Sequence, residues 1–180
     1  MTKSGTYNFS PSEGHLHLRV YKDGKAKAMG HDLVLEVTDW SAEVVVDDDP
    51  AKSTLTATAK TASIEVKEGT GGMKSLSDKD KTDIKKNIHE KVLKTSQNGE
   101  ISFRSTSVQA AGDNRFSVAG DLTIVGSTKP ATLDVTIDGS KAKATVTIKQ
   151  TDFGIKIFSA MMGALKVKDA VEIEAEVSLP

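Results

Sequence analysis

Apolar and polar residues alternate along most of the chain, which is the pattern of β-strands with one buried face. In the first half the alternation covers residues 15–21, 33–37, 40–46, 54–59 and 64–66. In the second half it covers residues 101–104, 116–124, 133–137, 142–148 and 171–179. Turn sequences such as Asp-Gly separate these segments. The pattern therefore predicts roughly eight to ten strands joined by short turns.

One segment changes to the spacing of a helix. Ser77 stands three residues before Asp80, which is the arrangement of a capping box. Ile84, Ile88 and Val92 follow at intervals of four residues. We predict an amphipathic helix of about four turns that ends near residues 97–99. Its apolar stripe is narrow, so we expect the helix to lie across a sheet.

The order of these elements predicts the fold class. A doubly wound parallel sheet needs a helix after nearly every strand, and only one helix is predicted. An antiparallel meander of this length avoids exposed edges most economically by closing. We therefore expect one all-β domain over residues 1–180: a closed antiparallel barrel of about eight strands with one inserted amphipathic helix. A barrel of that size holds either packed side chains or one small ligand.

Composition removes several classes of function. Lys and Arg (24) nearly balance Asp and Glu (25), and this net charge of −1 argues against nucleic-acid binding. Cysteine is absent, which excludes disulfides and thiol chemistry. No apolar run approaches the roughly 18 residues of a membrane span. Residues 1–18 lack the apolar core of a signal peptide, so we expect a cytoplasmic protein, or a periplasmic or secreted one if a signal was removed.

Catalytic and metal-binding patterns are weak. His15 and His17 share one strand face, but no third ligand stands nearby in sequence, so a solvated face is expected. His31 has two interpretations: a structural hydrogen bond to Asp32 or the backbone, or a donor to a ligand head group at the barrel mouth. The nucleophile motif GxSxG does not occur. We therefore predict no enzyme, no metal site and no cofactor.

The segment between the last two predicted strands is unusually apolar for a loop. Phe158, Met161, Met162 and Leu165 stand there, so the loop predicts either a plug or a gate over an apolar interior. Aromatic residues make up only 4% of the chain. A barrel lined by small aliphatic side chains has spare interior volume. Either a long apolar ligand fills it, or the protein's own Leu and Ile side chains and its helix do. The composition leaves both alternatives open.

Several motifs, in order and over nearly the whole chain, resemble the YceI-like family. Gly30-His31-Asp32-Leu33 leads to Trp40, and the helix end is followed by Glu100-Ile101-Ser102-Phe103-Arg104-Ser105. Leu122 to Pro130 is similar to the family signature L-T-I-x-G-x-T-K-P. Asp152-Phe153-Gly154-Ile155 completes the set.

The resemblance implies a lipocalin-like antiparallel barrel with an elongated apolar tunnel. Members of the family are associated with binding polyisoprenoid or fatty-acyl chains, and many are secreted to the periplasm. The family has no established shared catalytic residues, so the resemblance assigns none here.

We therefore predict a non-catalytic binding or carrier protein that transports a long apolar chain. We expect a polyisoprenoid rather than a fatty-acyl chain as the ligand. The predicted tunnel residues are the large apolar side chains of the strands, the helix and the C-terminal loop: Leu33, Leu35, Trp40, Ile84, Ile88, Val92, Phe103, Phe153, Phe158, Met161, Met162 and Leu165. Head-group candidates are His31, Arg104 and Lys156. The alternative is a filled barrel with a stress-related or protein-interaction role, packed by Leu35, Phe103, Phe116 and Phe153. The oligomeric state, a homodimer included, stays open.

Overall fold

The computed structural model describes residues 3–180, and most of them lie in twelve β-strands. The strands of the first half are β1 (Gly5–Phe9), β2 (Gly14–Asp23), β3 (Asp32–Val37), β4 (Trp40–Val46), β5 (Thr54–Lys60) and β6 (Ile64–Thr70). One helix, α1 (Asp78–Asn87), follows. The strands of the second half are β7 (Glu100–Ala110), β8 (Arg115–Ile124), β9 (Ser127–Asp138), β10 (Lys141–Lys149), β11 (Ser159–Ala160) and β12 (Leu165–Ser178).

All strand pairings are antiparallel, and they form one strongly curled sheet. Its order is β1-β4-β5-β7-β8-β9-β10-β12-β2-β3-β6, with the two-residue β11 paired to β12. The prediction of an all-β fold with one helix is confirmed. The closed barrel of about eight strands is not confirmed, because the ladder has eleven strands and, within residues 3–180, its ends β1 and β6 do not pair with each other.

Two bends in the chain explain the larger number of strands. The chain turns at residues 38–39 between β3 and β4, and a 3₁₀ turn at Thr61–Ser63 separates β5 from β6. Backbone hydrogen bonds cross both bends, from Thr38 N to Ser63 O (3.2 Å) and from Lys60 N to Asp39 O (2.9 Å). Each bent pair is therefore one long segment that changes direction, which an alternating sequence pattern does not reveal.

The helix begins with the predicted capping box. Asp80 N donates to Ser77 Oγ (3.1 Å), and Ser77 N donates to Asp80 Oδ2 (2.9 Å). The hydrogen bond from the Ser77 backbone also holds the pKa of Asp80 below its usual value. The helix continues through a π-helical turn at Ile88–Val92 and ends before residues 97–99, because Lys94 takes the left-handed conformation with φ 49°.

His89 anchors the end of this helix to the sheet. Its Nε2 lies 3.1 Å from the carbonyl oxygen of Ile64 in β6, and its Nδ1 lies 3.2 Å from Thr95 Oγ1. His89 is half-buried, although it lies among the polar residues of the helix. Lys85 Nζ adds an ion pair with Glu65 Oε1 of β6 at 2.5 Å. These contacts hold the helix across one region of the sheet.

The interior away from the helix is packed by aromatic side chains. Phe9, Trp40 and Phe103 are each 7% exposed, and Val108 and Val118 complete this group. We call these five residues the filled half of the interior. Within residues 3–180, no helix is long and apolar enough to span a bilayer.

Gly120 in β8 makes the packing of the filled half possible. A Cβ atom at Gly120 would lie 2.5 Å from Phe103 Cζ and 2.4 Å from the carbonyl oxygen of Arg104. The first neighbour is a ring and the second is backbone, so neither can easily move away. A glycine is therefore required where the Phe103 ring crosses β8.

Candidate functional site: an apolar cavity beneath the helix

A cavity of about 620 Å³ lies between the helix and the inner face of the sheet. Its wall is mostly aliphatic, and Phe158 and Tyr21 also line it. Two cross-strand rows from β12, β2 and β3 form much of the wall. The residues of these rows are Ile173, Leu18 and Leu35, and Val171, Val20 and Leu33.

The helix supplies the opposite wall. Ile84, Ile88 and Val92 line the cavity and are half-buried, as their spacing of four residues requires. Asp83 and Asn87 stand on the same side of the cavity as polar neighbours. The two walls thus present branched aliphatic side chains to each other across open space.

Polar and basic groups surround the mouth of the cavity. His31 lies there, and its Nε2 is 2.7 Å from the carbonyl oxygen of Lys74. A carbonyl only accepts, so this nitrogen donates. Lys22 also lines the mouth and donates from Nζ to the carbonyl oxygen of Gly30 (3.1 Å). His31 therefore bonds to the backbone and also lines the cavity, and its role as a donor to a ligand head group stays a prediction.

The structure brings seven of the twelve predicted tunnel residues to the cavity wall. These are the strand, helix and loop residues Leu33, Leu35, Ile84, Ile88, Val92, Phe158 and Leu165. Their role in binding a ligand stays a prediction.

The other five predicted tunnel residues lie outside the cavity wall. Trp40, Phe103 and Phe153 are buried in the protein core instead. Met161 and Met162 point outward and are 52% and 107% exposed. An apolar residue type therefore did not distinguish a cavity wall from a packed core or an exposed loop.

Two of the three head-group candidates are also displaced from the cavity. Arg104 follows the inward-facing Phe103 in β7, so its side chain alternates to the outer face and is exposed. Lys156 follows the buried Ile155 and is exposed as well. Neither residue lines the cavity, whereas His31 does.

Sequence reasoning missed several wall residues. Leu18, Val20, Ile148 and Ile173 were recognised only as inward strand positions, and all four line the cavity. Alternation identifies the inward face but does not show whether the facing side chains meet. No sequence pattern pointed to Gln150. It is 7% exposed, lines the cavity, and donates from Nε2 to the carbonyl oxygen of Lys168 (2.9 Å).

A histidine cluster lies on strand positions that alternate with the cavity-lining ones. The rings of His15 and His17 stack with centroids 4.1 Å apart, and their ring nitrogens lie within 4.8 Å of a Glu174 carboxylate oxygen. His17 is only 8% exposed, so a solvated strand face is wrong for this residue. Burial lowers the pKa of His17, and the neighbouring His15 and Lys67 lower it further.

Cations already contact the acceptor atoms of this cluster. Lys143 Nζ lies 2.8 Å from Glu174 Oε2 and holds the pKa of this carboxyl below its usual value. Arg19 Nη2 lies 3.7 Å from Glu174 Oε1, and Lys67 Nζ lies 3.5 Å from His17 Nε2. The cluster is thus an ion-pair network in which three cations surround the atoms that a metal would need.

Comparison with curated proteins finds relatives of part of the chain. A UPF0312 protein of Pseudomonas putida strain F1 is 37% identical over 83 residues, which cover 41% of this chain and 43% of the relative. A UPF0312 protein of Pseudomonas putida strain W619 is 36% identical over the same length. The matched region thus spans less than half the length of these relatives.

Solved structures share the fold over a greater length. Burkholderia cenocepacia BcnA superposes with a TM-score of 0.71 at 19% identity, covering 95% of this chain and 99% of BcnA. A polyisoprenoid binding domain from Saccharophagus degradans, implicated in plant cell wall breakdown, superposes with a TM-score of 0.56 at 9% identity, covering 99% and 100%. At these identities the likeness shows a common fold.

The family profile described as the YceI-like domain matches residues 7–179. This range contains the cavity, the helix and eleven complete strands, together with the part of β1 from Tyr7 onward. The match confirms the resemblance found in the sequence motifs, and the chain belongs to the YceI-like family.

Proposed function

We propose that this protein is a non-catalytic binding or carrier protein for a polyisoprenoid chain, held in the cavity beneath the helix. The observation that carries this proposal is the cavity of about 620 Å³ with its aliphatic wall. Ligand sites typically have volumes of about 300–1,000 Å³ and mostly apolar walls. The cavity matches both properties.

The energetics favour a long apolar tail. Each methylene removed from water contributes about 0.8 kcal/mol. A tail with several buried isoprene units therefore gains several kcal/mol, from which the cost of ordering the tail is subtracted. His31 and Lys22, which line the cavity, would lie beside a polar head in this proposal.

Family membership supports the same class of ligand. The structural neighbour from Saccharophagus degradans is described as a polyisoprenoid binding domain. Branched methyl groups of an isoprenoid suit a wall of Leu, Ile and Val side chains. A fatty-acyl chain offers similar apolar chemistry, so the experiment compares the two.

The proposal includes a closed barrel around the tail. If each bent pair, β3 with β4 and β5 with β6, is counted as one long strand, the pairings pass through β3/β4, β2, β12, β10, β9, β8, β7 and β5/β6 and return to the start. This path has about eight strands, the number that leaves room for one small ligand. β1 then extends the wall beside β4.

The cavity favours this function over the filled-barrel alternative. That alternative requires Leu35 to be enclosed by tight packing with Phe103, Phe116 and Phe153. Leu35 instead faces the cavity, although it is only 4% exposed to bulk solvent. Packing by aromatic side chains is thus limited to one part of the interior.

Native mass spectrometry tests the proposal directly. The protein, gently purified, is mixed with a polyprenyl alcohol or with a fatty acid of similar length. We expect a one-to-one complex, with the prenyl chain retained more strongly and recovered with unchanged mass. A protein that shows only its bare mass with both compounds would contradict ligand binding, and a chemically altered ligand would contradict the non-catalytic role.

The cytoplasmic location stays a prediction, which cell fractionation would test.

A further inference from the structure

The exposed large apolar side chains are concentrated in one residue type. Among residues 3–180, four large hydrophobic side chains are about half exposed or more, and all four are methionines: Met29 (49%), Met73 (82%), Met161 (52%) and Met162 (107%). Methionine is flexible and adapts to irregular apolar partners. A group of such residues on the surface marks an interaction site when its members lie together.

The loops that carry these methionines meet around Gly30. A Cβ atom at Gly30 would lie 2.7 Å from Leu165 Cδ1, and one at Gly71 would lie 3.8 Å from the carbonyl oxygen of Gly30. Ala26 N also donates to the carbonyl oxygen of Ala164 (2.8 Å). Segments 24–30, 71–76 and 154–168 thus converge at one end of the molecule. We call these three segments the methionine rim.

The methionine rim surrounds the mouth of the cavity. Met29 and Met73 line the cavity, and so do Lys74, Phe158 and Leu165 from the same three segments. The exposed apolar surface and the opening of the apolar interior are therefore continuous. Met29 and Met73 thus border the cavity itself, and Met161 and Met162 belong to the same rim.

The methionine rim is strongly basic, although the whole chain has a net charge of −1. Its three segments contain no Asp or Glu. Their lysines are Lys25, Lys27, Lys74, Lys156, Lys166 and Lys168. Acidic side chains do line the cavity from the helix, but Asp80 is held in the capping box and Asp83 pairs with Lys79 (2.6 Å). The three segments themselves thus carry six lysines and no carboxylate, with Asp23 and Asp169 directly beside them in the chain.

The backbone keeps two of the methionines in solvent. Met161 and Met162 have φ values of 52° and 55°, in the left-handed region that is unfavourable for residues other than glycine. Gly163 follows with φ 87°. This tight turn directs Met162 away from the protein, so its apolar surface gains burial only from an external partner.

We propose that the methionine rim docks on the surface of an anionic phospholipid bilayer. The methionines would enter the boundary between head groups and acyl chains, and the lysines would contact the anionic head groups. The rim thus offers the two features that favour binding to an anionic bilayer: positive charge opposite the head groups, and exposed apolar side chains. Docking would place the cavity mouth against the bilayer, where a prenyl chain resides.

Vesicle co-sedimentation tests the docking without any prenyl ligand. The full chain is mixed with vesicles of equal parts phosphatidylcholine and phosphatidylglycerol, or of phosphatidylcholine alone. We expect binding to the anionic vesicles that weakens as salt is raised. Replacing Lys25 and Lys27 together with Ala should weaken it about 25-fold, since each lysine at the surface contributes about fivefold.

A matched variant controls for net charge. Lys52 and Lys129 are exposed residues outside the rim, so replacing both with Ala should leave vesicle binding unchanged. An equal loss in the control, or equal binding to both kinds of vesicle, would overturn the proposal. So would the absence of binding by the unmodified chain. Prenyl uptake is measured separately by native mass spectrometry. A failure of vesicle binding would therefore leave the proposed ligand binding untouched.

The apolar part of the contact has its own test. Met161→Asn and Met162→Asn together place in the turn a polar residue that tolerates the left-handed conformation. We expect weaker vesicle binding at every salt concentration, with an unchanged thermal midpoint. If the same pair instead abolished a concentration-dependent dimer in sedimentation velocity, the rim would be a surface for a second copy and the membrane proposal would be wrong.

Discussion

The two parts of the interior are built from different side chains on the same sheet. In the filled half, Phe9, Trp40 and Phe103 close the space between strands. Beneath the helix, Leu, Ile and Val side chains face one another around a cavity of about 620 Å³. A few aromatic rings thus decide where the sheet encloses protein and where it encloses space. The positions of the aromatic residues therefore say more about function than their small number does.

The two regions are also held together differently. The filled half depends on close packing, in which Phe103 lies against the backbone at Gly120. The helix over the cavity packs on the core through the half-buried Ile88 and Val92. Polar contacts add to this: His89 bonds to the Ile64 carbonyl, Lys85 pairs with Glu65, and the Ser77–Asp80 capping box stabilises the helix start. Polar attachments at the surface are individually weak, so the helix should open more easily than the filled half.

The largest expected effect is on stability in the filled half. Phe103→Ala should lower the free energy of unfolding by about 3–5 kcal/mol, because it removes a buried ring from close packing. Ile88→Ala is the matched change beside the cavity. It should cost less than about 2 kcal/mol, because Ile88 is half-buried and already borders open space. Urea unfolding measures both values, and equal losses would contradict the division of the interior.

The next effect separates binding from stability. Ile88→Trp should occupy part of the cavity and weaken prenyl binding at least tenfold, while changing the free energy of unfolding by less than about 1.5 kcal/mol. Ile88→Val, which removes one methylene, is the control and should bind almost normally. Binding is measured by titration with a polyprenyl alcohol. Full binding by the tryptophan variant would place the ligand elsewhere.

A smaller effect concerns the helix alone. Ser77→Ala removes the capping hydrogen bond and should cost about 1 kcal/mol. Hydrogen exchange followed by mass spectrometry should show faster exchange in residues 78–92 and unchanged exchange in β7 and β8. If exchange instead rose evenly through the whole sheet, the helix would not be a separately opening unit.

The smallest effect is a pH dependence from the outer histidine cluster. Burial lowers the pKa of His17 below its usual 6.5, with His15 and Lys67 acting in the same direction and Glu36 opposing them. Between the lowered folded value and 6.5 the unfolded chain binds more protons, so stability should rise with pH through this window and be complete above it. His17→Gln should flatten the rise in urea midpoints. If the urea midpoint of the variant rose with pH as steeply as before, His17 would not be the source of the pH dependence.

The sequence predicted the features that depend on local spacing. The antiparallel strands followed from alternation, and the helix start followed from Ser77 and Asp80. The cavity-facing stripe followed from Ile84, Ile88 and Val92. These features are encoded within a few residues, so no tertiary contact was needed to find them.

Features that depend on distant contacts were predicted poorly. Phe103 and Met162 were both assigned to the tunnel, yet one is packed against Gly120 and the other is held in solvent by a left-handed turn. His17 was expected in solvent, but neighbouring strands bury it. Each error concerns which atoms meet across the sheet, and hydrophobicity at one position does not contain that information.

Photo-crosslinking with a diazirine-bearing prenyl alcohol tests the central claim most directly, because it reports which side chains touch the tail. We expect adducts on the wall residues beneath the helix, in segments 18–35, 84–92 and 155–173, and their loss when unlabelled polyprenyl alcohol competes. Adducts concentrated on Phe9, Trp40, Phe103 or Val118 would contradict the assignment of the tail to the cavity. Labelling that no competitor reduces would contradict specific binding altogether.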